Sequence, residues 1–305
     1  MAGFSAADAA LTGFRIVWEK PAAVAVWAVA QFAMTLGLSL FIAVTAGPAF
    51  DRMMQMGFSL NAADMEQVID LGRQLAPTYV AVLSALLVFY AVLWGAMNRA
   101  VLRPGASAFG YLRLSADELR QLGLLLVLAG LAFGLYVAVS FAAFAVGAVL
   151  ESLMGPAGLS LMLALWIVGE AAAFIFFGVR LSLVSAQTFS TRHIDLAGAW
   201  RLTRGRFWPL LGTYAVAFAL VLVVIALSWA IAIAAAAILG GGVGALGGLF
   251  QGGVGTMAMI LSPGRLAYVA VSSVGSALGF PVTMAPPAAV YRALDSGRAG
   301  SRVFE

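Results

Sequence analysis

Cysteine is absent from all 305 residues, lysine and histidine occur once each, as Lys20 and His193, and only 10% of the chain is charged. Without cysteine there is no disulfide, no thiolate metal site and no cysteine nucleophile. One lysine and one histidine leave no H-E-x-x-H pair and no P-loop lysine. The shortage of charge is the most restrictive of these, because soluble globular chains carry roughly a quarter of their residues as charges. Here residues 207–264 form 58 consecutive positions without one. With 63% hydrophobic residues and a mean hydropathy of +1.02, the chain reads as an integral membrane protein. The apolar runs are rich in Ala, Leu and Gly and lack strand-like alternation, so helices are expected in place of a β-barrel. The expected fold class is an all-α integral membrane protein with about six transmembrane helices and amphipathic interfacial helices.

The spans are predicted at about 22–46, 78–98, 121–150, 159–179, 210–237 and 266–290 of one polytopic domain. Before the first, Phe4 to Glu19 can form a short amphipathic helix with Phe4, Leu11, Phe14, Ile16, Val17 and Trp18 on its apolar side. The 25-residue run after it exceeds the ~7–15 residues of a signal-peptide core, so it reads as a span. Residues 50–77 are polar enough to lie outside the bilayer, with Asn61 placed to cap a helix and Met65, Val68, Ile69 and Leu75 as an apolar stripe. Glu151 to Gly158 reads as a tight turn. Pro281, Pro286 and Pro287 should kink the inner half of the sixth span.

With six spans, the N-terminus, the 99–120 and 180–206 segments and the C-terminal tail share one side. They hold fourteen of the seventeen basic residues, leaving Arg52, Arg73 and Arg265 opposite. Cytoplasmic loops carry such an excess, so both termini are expected in the cytoplasm, of a bacterial inner membrane. Topology also accounts for the net charge of +4 without a nucleic-acid partner. Sixteen of the basic residues are Arg, a bias expected of a GC-rich bacterial genome.

Asp195 to Leu211 carries the strongest local pattern, an arginine- and tryptophan-bearing helix that turns into the bilayer. Arg201 and Arg204, three apart, would share a helix face. Trp200, Phe207 and Trp208 are aromatics suited to the membrane–water boundary. Similar mixtures precede the first and third spans, with Arg15, Arg113 and Arg201 falling 98 and 88 residues apart. Three copies of an interfacial helix plus hairpin would produce this, and so would interface chemistry alone.

The stretch Ala199 to Trp208, with Arg180-Leu-Ser-Leu before it, resembles the membrane domain associated with glycerophosphoryl diester phosphodiesterases and related bacterial membrane proteins. Tyr111 to Arg120 is similar to a stretch met in alphaproteobacterial membrane proteins of unsettled role. The two motifs cover about a tenth of the chain. The resemblance implies a multi-span helical domain. The phosphodiesterase chemistry belongs to a separate barrel domain, and nothing in this chain matches it.

Glu170 lies ten residues from Arg180, about 15 Å into the bilayer at ~1.5 Å per residue. A carboxyl there is costly unless it faces the bundle interior, is paired or is protonated. Gln31, Tyr90 and Thr283 fall near the same depth. A polar layer for protons, ions or headgroups is one reading, and a hydrogen bond from Gln31 or a hydroxyl that merely fixes packing is the other. Arg113, Arg120, Arg201, Arg204 and Arg206 are candidates for anionic lipid headgroups, or mark topology alone. Gly240, Gly244, Gly248 and Gly252 recur every four residues and would form a small-residue packing strip on a helix, within a re-entrant or surface-lying segment at 240–262.

Three further patterns are set aside. Met53, Met54, Met56 and Met65 can bind Cu(I) in principle but lack His or Cys beside them, so adaptable packing is preferred and no metal is expected. Gly242 to Gly247 matches G-x-G-x-x-G but follows a membrane span, not a strand. Ser190, His193 and Asp195 lie within six residues on a linker, where capping explains Asp195 better than a triad. The chain is therefore expected to be no enzyme and to use no cofactor. It reads as a scaffold, accessory subunit or lipid-associated protein, with membrane lipids, other membrane subunits or further copies of itself as partners. A small transporter or channel for a lipid or small solute, using Glu170, is the alternative.

Overall fold

The computed structural model describes residues 5–56, 65–247 and 257–302, and among them there is helix and no strand. In order these are α1 (Ala6–Glu19), α2 (Pro21–Met56), α3 (Met65–Leu102), α4 (Ala116–Met154), α5 (Pro156–Leu181), α6 (Val184–Thr191), α7 (Leu196–Thr203), α8 (Phe207–Gly240), the single turn α9 (Met257–Ile260) and α10 (Pro263–Arg302). Two 3₁₀ turns, Ala108–Tyr111 and Val243–Leu246, lie between them. α2, α3, α4, α5, α8 and α10 are long and apolar enough to cross a membrane, and the chain is an all-α, multi-pass membrane protein.

These helices outrun the apolar runs that announce them. A bilayer core of about 30 Å needs about 20 helical residues, whereas α3, α4 and α10 hold 38, 39 and 40. α2 and α3 continue through Pro48 and Pro77, and their extensions pack Ala46 and Ala49 against Leu71 and Leu75. The expected stripe on 65–75 is thus corrected. Leu71 and Leu75 face the partner helix, while Met65 and Ile69 are exposed. Asn61 lies outside the described residues. The turn expected over 151–158 shrinks to Gly155, whose φ of +60° glycine adopts without strain. Likewise α10 is one helix through Pro281, Pro286 and Pro287, so the sixth span is not broken.

Burial separates a bundle from an arm. The most apolar stretch of α10 is 44% buried, and that of α5 is 0% buried. α10 is the central post, packed by α8, α1, α2 and α3. The α4–α5 hairpin pairs mainly with itself and joins the rest through α3, α6 and α7, with a short approach of α5 to α8. A helix apolar all round and unpacked by protein is solvated by lipid.

The main core gathers where the basic segments meet, here called the basic end. It combines Trp27 and Val24 of α2, Leu93 and Met97 of α3, Leu183, Leu210 and the α10 residues Phe280 to Leu294. α1 belongs to this core and does not simply lie on a surface. Ala9 and Ile16 are buried, and Gly13 sits directly on the α10 backbone at Pro281 and Val282. Leu11 and Trp18, expected on the apolar side, face outward, Trp18 at 88% exposure.

The glycine strip does not form as expected. α8 ends at Gly240, and Gly241 and Gly242 turn the chain with φ of +89° and +118°. Gly244 then falls in the 3₁₀ turn, and Gly248 and Gly252 lie outside the described residues. Gly240 does serve packing, but against Gly264 of α10, where an added Cβ would come within 3.1 Å of the Gly240 Cα.

Candidate functional site

The basic end is held by a buried ion pair. Arg99, near the end of α3, and Glu118, in the first turn of α4, are each 4% exposed and joined directly. The second Arg99 arm donates to the Tyr111 carbonyl. The other Glu118 oxygen accepts from the Ser115 amide at 3.0 Å and its hydroxyl at 2.6 Å, completing a capping box. Gly95, one turn before Arg99, leaves the space, since a Cβ there would meet the Glu118 carboxyl at 2.5 Å. A buried pair is tolerable only when its remaining donors and acceptors are matched, as they are here.

Two further cations close the same helix end. Lys20 Nζ donates to the Ala100 carbonyl and Arg292 Nη1 to that of Val101, each at 3.0 Å. They satisfy carbonyls that the last turn of α3 leaves open and place positive charge at the negative end of its dipole. Lys20 also sits 4.7 Å above the Tyr111 ring. Trp27 Nε1 donates to the Gly110 carbonyl at 2.7 Å, holding a turn in which Phe109, Gly110 and Tyr111 all have positive φ.

The candidate headgroup arginines therefore divide. Arg120 pairs with Asp117 at 2.7 Å, and Arg206 donates to the Leu202 carbonyl. Arg113 is exposed, as are Arg201 and Arg204. Arg204 is the C-cap residue of α7, where φ is still helical (−61°) and an extended ψ (131°) ends the helix. Asp195 caps α7 by accepting from the Gly198 amide at 2.7 Å. No hydrogen bond joins the side chains of Ser190, His193 and Asp195 among the described residues, so these three form no triad.

The polar layer does not assemble. Neither carboxyl oxygen of Glu170 has a hydrogen-bond partner among the described residues, although both are buried. Its helix, α5, packs on α4, α7 and α8, whereas Gln31 belongs to α2, which packs on α10 and α3. Tyr90 is exposed, with the Phe89 ring edge-on to its own. The Thr283 hydroxyl donates back to the Phe280 carbonyl at 3.0 Å. The four residues lie on different helices with different neighbours.

Where the arm diverges from the bundle there is a cavity of about 1300 Å³. Leu131 and Gly134 of α4, Phe174 and Gly178 of α5, Phe218 of α8 and Met284 of α10 are among its walls. At its basic end it meets Asn98, Ser182, Ser185, Trp200 and Tyr214. Thr283 reaches it and Glu170 does not. The polar groups at this end are already matched: Tyr214 donates to Ser182 Oγ at 2.7 Å and Asn98 to Ser185 Oγ at 2.8 Å. Ser185 in turn donates to Gln121 Oε1 at 2.9 Å. What remains open to an occupant is almost wholly hydrocarbon.

Beside the cavity stands an aromatic group the sequence presented only as interface chemistry. Phe176 meets Phe177, Trp200 and Phe207, and Phe207 meets Trp208. Arg180 lies against Phe176 and Trp200, and its carbonyl accepts from Thr203 at 3.0 Å. Sequence reasoning missed Arg99, Glu118 and Arg180 as individuals. Only Ser115-x-x-Glu118 carried a local signal, the capping-box spacing that marks the start of α4. No family model, no curated protein and no solved structure matches the chain.

Proposed function

We propose that this protein is a non-enzymatic, lipid-associated component of a bacterial inner membrane, a scaffold or accessory subunit that keeps a lipid in the cleft between the α4–α5 arm and the α8–α10 bundle. The carrying observation is the cavity of about 1300 Å³ with apolar walls set among membrane-spanning helices. It exceeds the ~300–1000 Å³ of ordinary small-molecule sites. Each methylene it takes from water is worth about 0.8 kcal/mol, but lipid tails are equally at home in the bilayer, so shape must hold the occupant. The resemblance of Ala199 to Trp208 to a phosphodiesterase-associated membrane domain points the same way, to a spanning domain without its own hydrolase chemistry.

Three glycines facing the cleft, Gly130, Gly134 and Gly178, have nothing within 4 Å of an added Cβ. Filling from these positions costs the backbone no collision and replaces helix-weakening residues. The Gly134→Phe/Gly178→Phe double variant is expected to keep its melting temperature and to lose most lipid retained by wild type in native mass spectra from mild detergent. Equal retention in the two proteins, or none in wild type, rejects the cleft as a lipid site.

The transporter alternative rested on Glu170, and prolines that interrupt the sixth span would have favoured it. Its support is now thinner, because Glu170 lies off the cavity wall and α10 is continuous.

The basic end is read as cytoplasmic, with both termini there, from the fourteen basic residues it gathers. The cysteine-free chain permits a direct test at two exposed serines, Ser190 at the basic end and Ser152 at the other. On intact spheroplasts an impermeant maleimide is expected to label Ser152→Cys and spare Ser190→Cys until lysis. The reverse pattern inverts the topology.

A further inference from the structure

The cleft dictates that its contents be apolar, and the matched Tyr214, Ser182, Asn98 and Ser185 ask for no polar ligand. Arg180 is different. It is the one basic residue in the last turn of α5. Its guanidinium lies 5.6 Å from the Phe176 ring centre and 5.1 Å from that of Trp200. Nε and Nη1 are both buried, and neither has an acceptor among the described residues.

An arginine cannot shed its proton to escape that situation. Buried N–H donors without acceptors are unfavourable, so the structure calls for an acceptor from beyond the described residues. Guanidinium donors match phosphate oxygens in geometry as well as charge. Arg180 itself is not among the residues that line the cleft, but it stands at the rim: Trp200 belongs to both the arginine stack and the cleft wall, and Val179 and Leu181 on either side of Arg180 line the cleft.

The surroundings favour added negative charge. Residues 180–206 hold five arginines against one acid, Asp195. That acid is already engaged, since it caps α7 and stands 3.8 Å from Arg201.

We propose that Arg180 binds the phosphate of an anionic phospholipid whose acyl chains fill the cleft. This rests on the reading of the cleft as a lipid site. The aromatic stack of Phe176 and Trp200 keeps the guanidinium aimed and dry, and the wall glycines let the chains lie against the α4 and α5 backbones.

The test is lipid competition read by native mass spectrometry, with the full-length protein in mild detergent and equimolar phosphatidylglycerol and phosphatidylethanolamine. Wild type is expected to favour phosphatidylglycerol at least fivefold. Arg180→Gln should still retain lipid but with the preference falling toward parity, and Arg180→Lys should keep part of it. Arg192→Gln, an exposed arginine of the same segment, should leave the preference unchanged. A wild type without preference, or an Arg180→Gln protein with wild-type preference, overturns the assignment while leaving the cleft as a lipid site. Equal loss in Arg192→Gln also overturns it, because the selectivity would then belong to the general field. Should Arg180→Gln not fold, the Arg180→Lys and Arg192→Gln comparison decides alone. A wild type that retains no lipid at all removes the underlying reading as well.

Discussion

Glu118→Ala is expected to destabilise the protein by about 3–5 kcal/mol, the usual cost of leaving one half of a buried ion pair uncompensated. The loss is compounded. Arg99 would keep its bond to the Tyr111 carbonyl but lose the acid it is paired with, and the Ser115 amide and hydroxyl would lose their acceptor. α4 would then keep its Ser115 cap but lose the reciprocal half of its capping box. The double substitution Arg99→Met/Glu118→Leu removes both charges at similar volume and is expected to recover much of the stability, since apolar replacements of buried pairs are often neutral or better. Denaturation in detergent, followed by helical circular dichroism, measures both variants. A single variant within 1 kcal/mol of wild type would show that the pair does not hold the basic end together.

Gly13→Leu is the second large effect. A Cβ at Gly13 would collide with the backbone of Pro281 and Val282, and backbone cannot swing away as a flexible side chain can. Overpacking of this kind costs about 1–3 kcal/mol and occasionally more. Here α1 has a cheaper escape, because it can lift from α10 and expose Ala9, Ala10 and Ile16. The expected result is rapid trypsin cleavage after Arg15, which is exposed but held in helix in the native protein. Gly13→Ala should show the same effect more weakly. Cleavage at the wild-type rate in Gly13→Leu would contradict the docking of α1 on α10.

The six spans were legible because lipid asks only for uninterrupted apolar length, and 58 uncharged residues in a row supply that locally. The roles of individual residues were not, because each depends on a partner elsewhere. Arg99, Arg103, Arg113 and Arg120 look alike in sequence. One is buried on Glu118, two share Asp117, and one is exposed with no ion pair among the described residues. Nothing within a few residues of Arg99 distinguishes it. The glycine spacing misled for a different reason: glycine permits both close helix packing and left-handed turns, and Gly241 and Gly242 took the second option. For Glu170 the facing direction was not readable, because α5 is apolar on every side and shows no stripe from which to infer a face.

A density map of the protein in nanodiscs of bacterial lipid tests the central claim most directly. The account predicts an elongated, chain-like density between α4 and α8, running along Gly134 and Phe218 and ending in a compact feature at Arg180. A closed structure, with Phe174 packed on Phe218 and no space between the arm and the bundle, would contradict it.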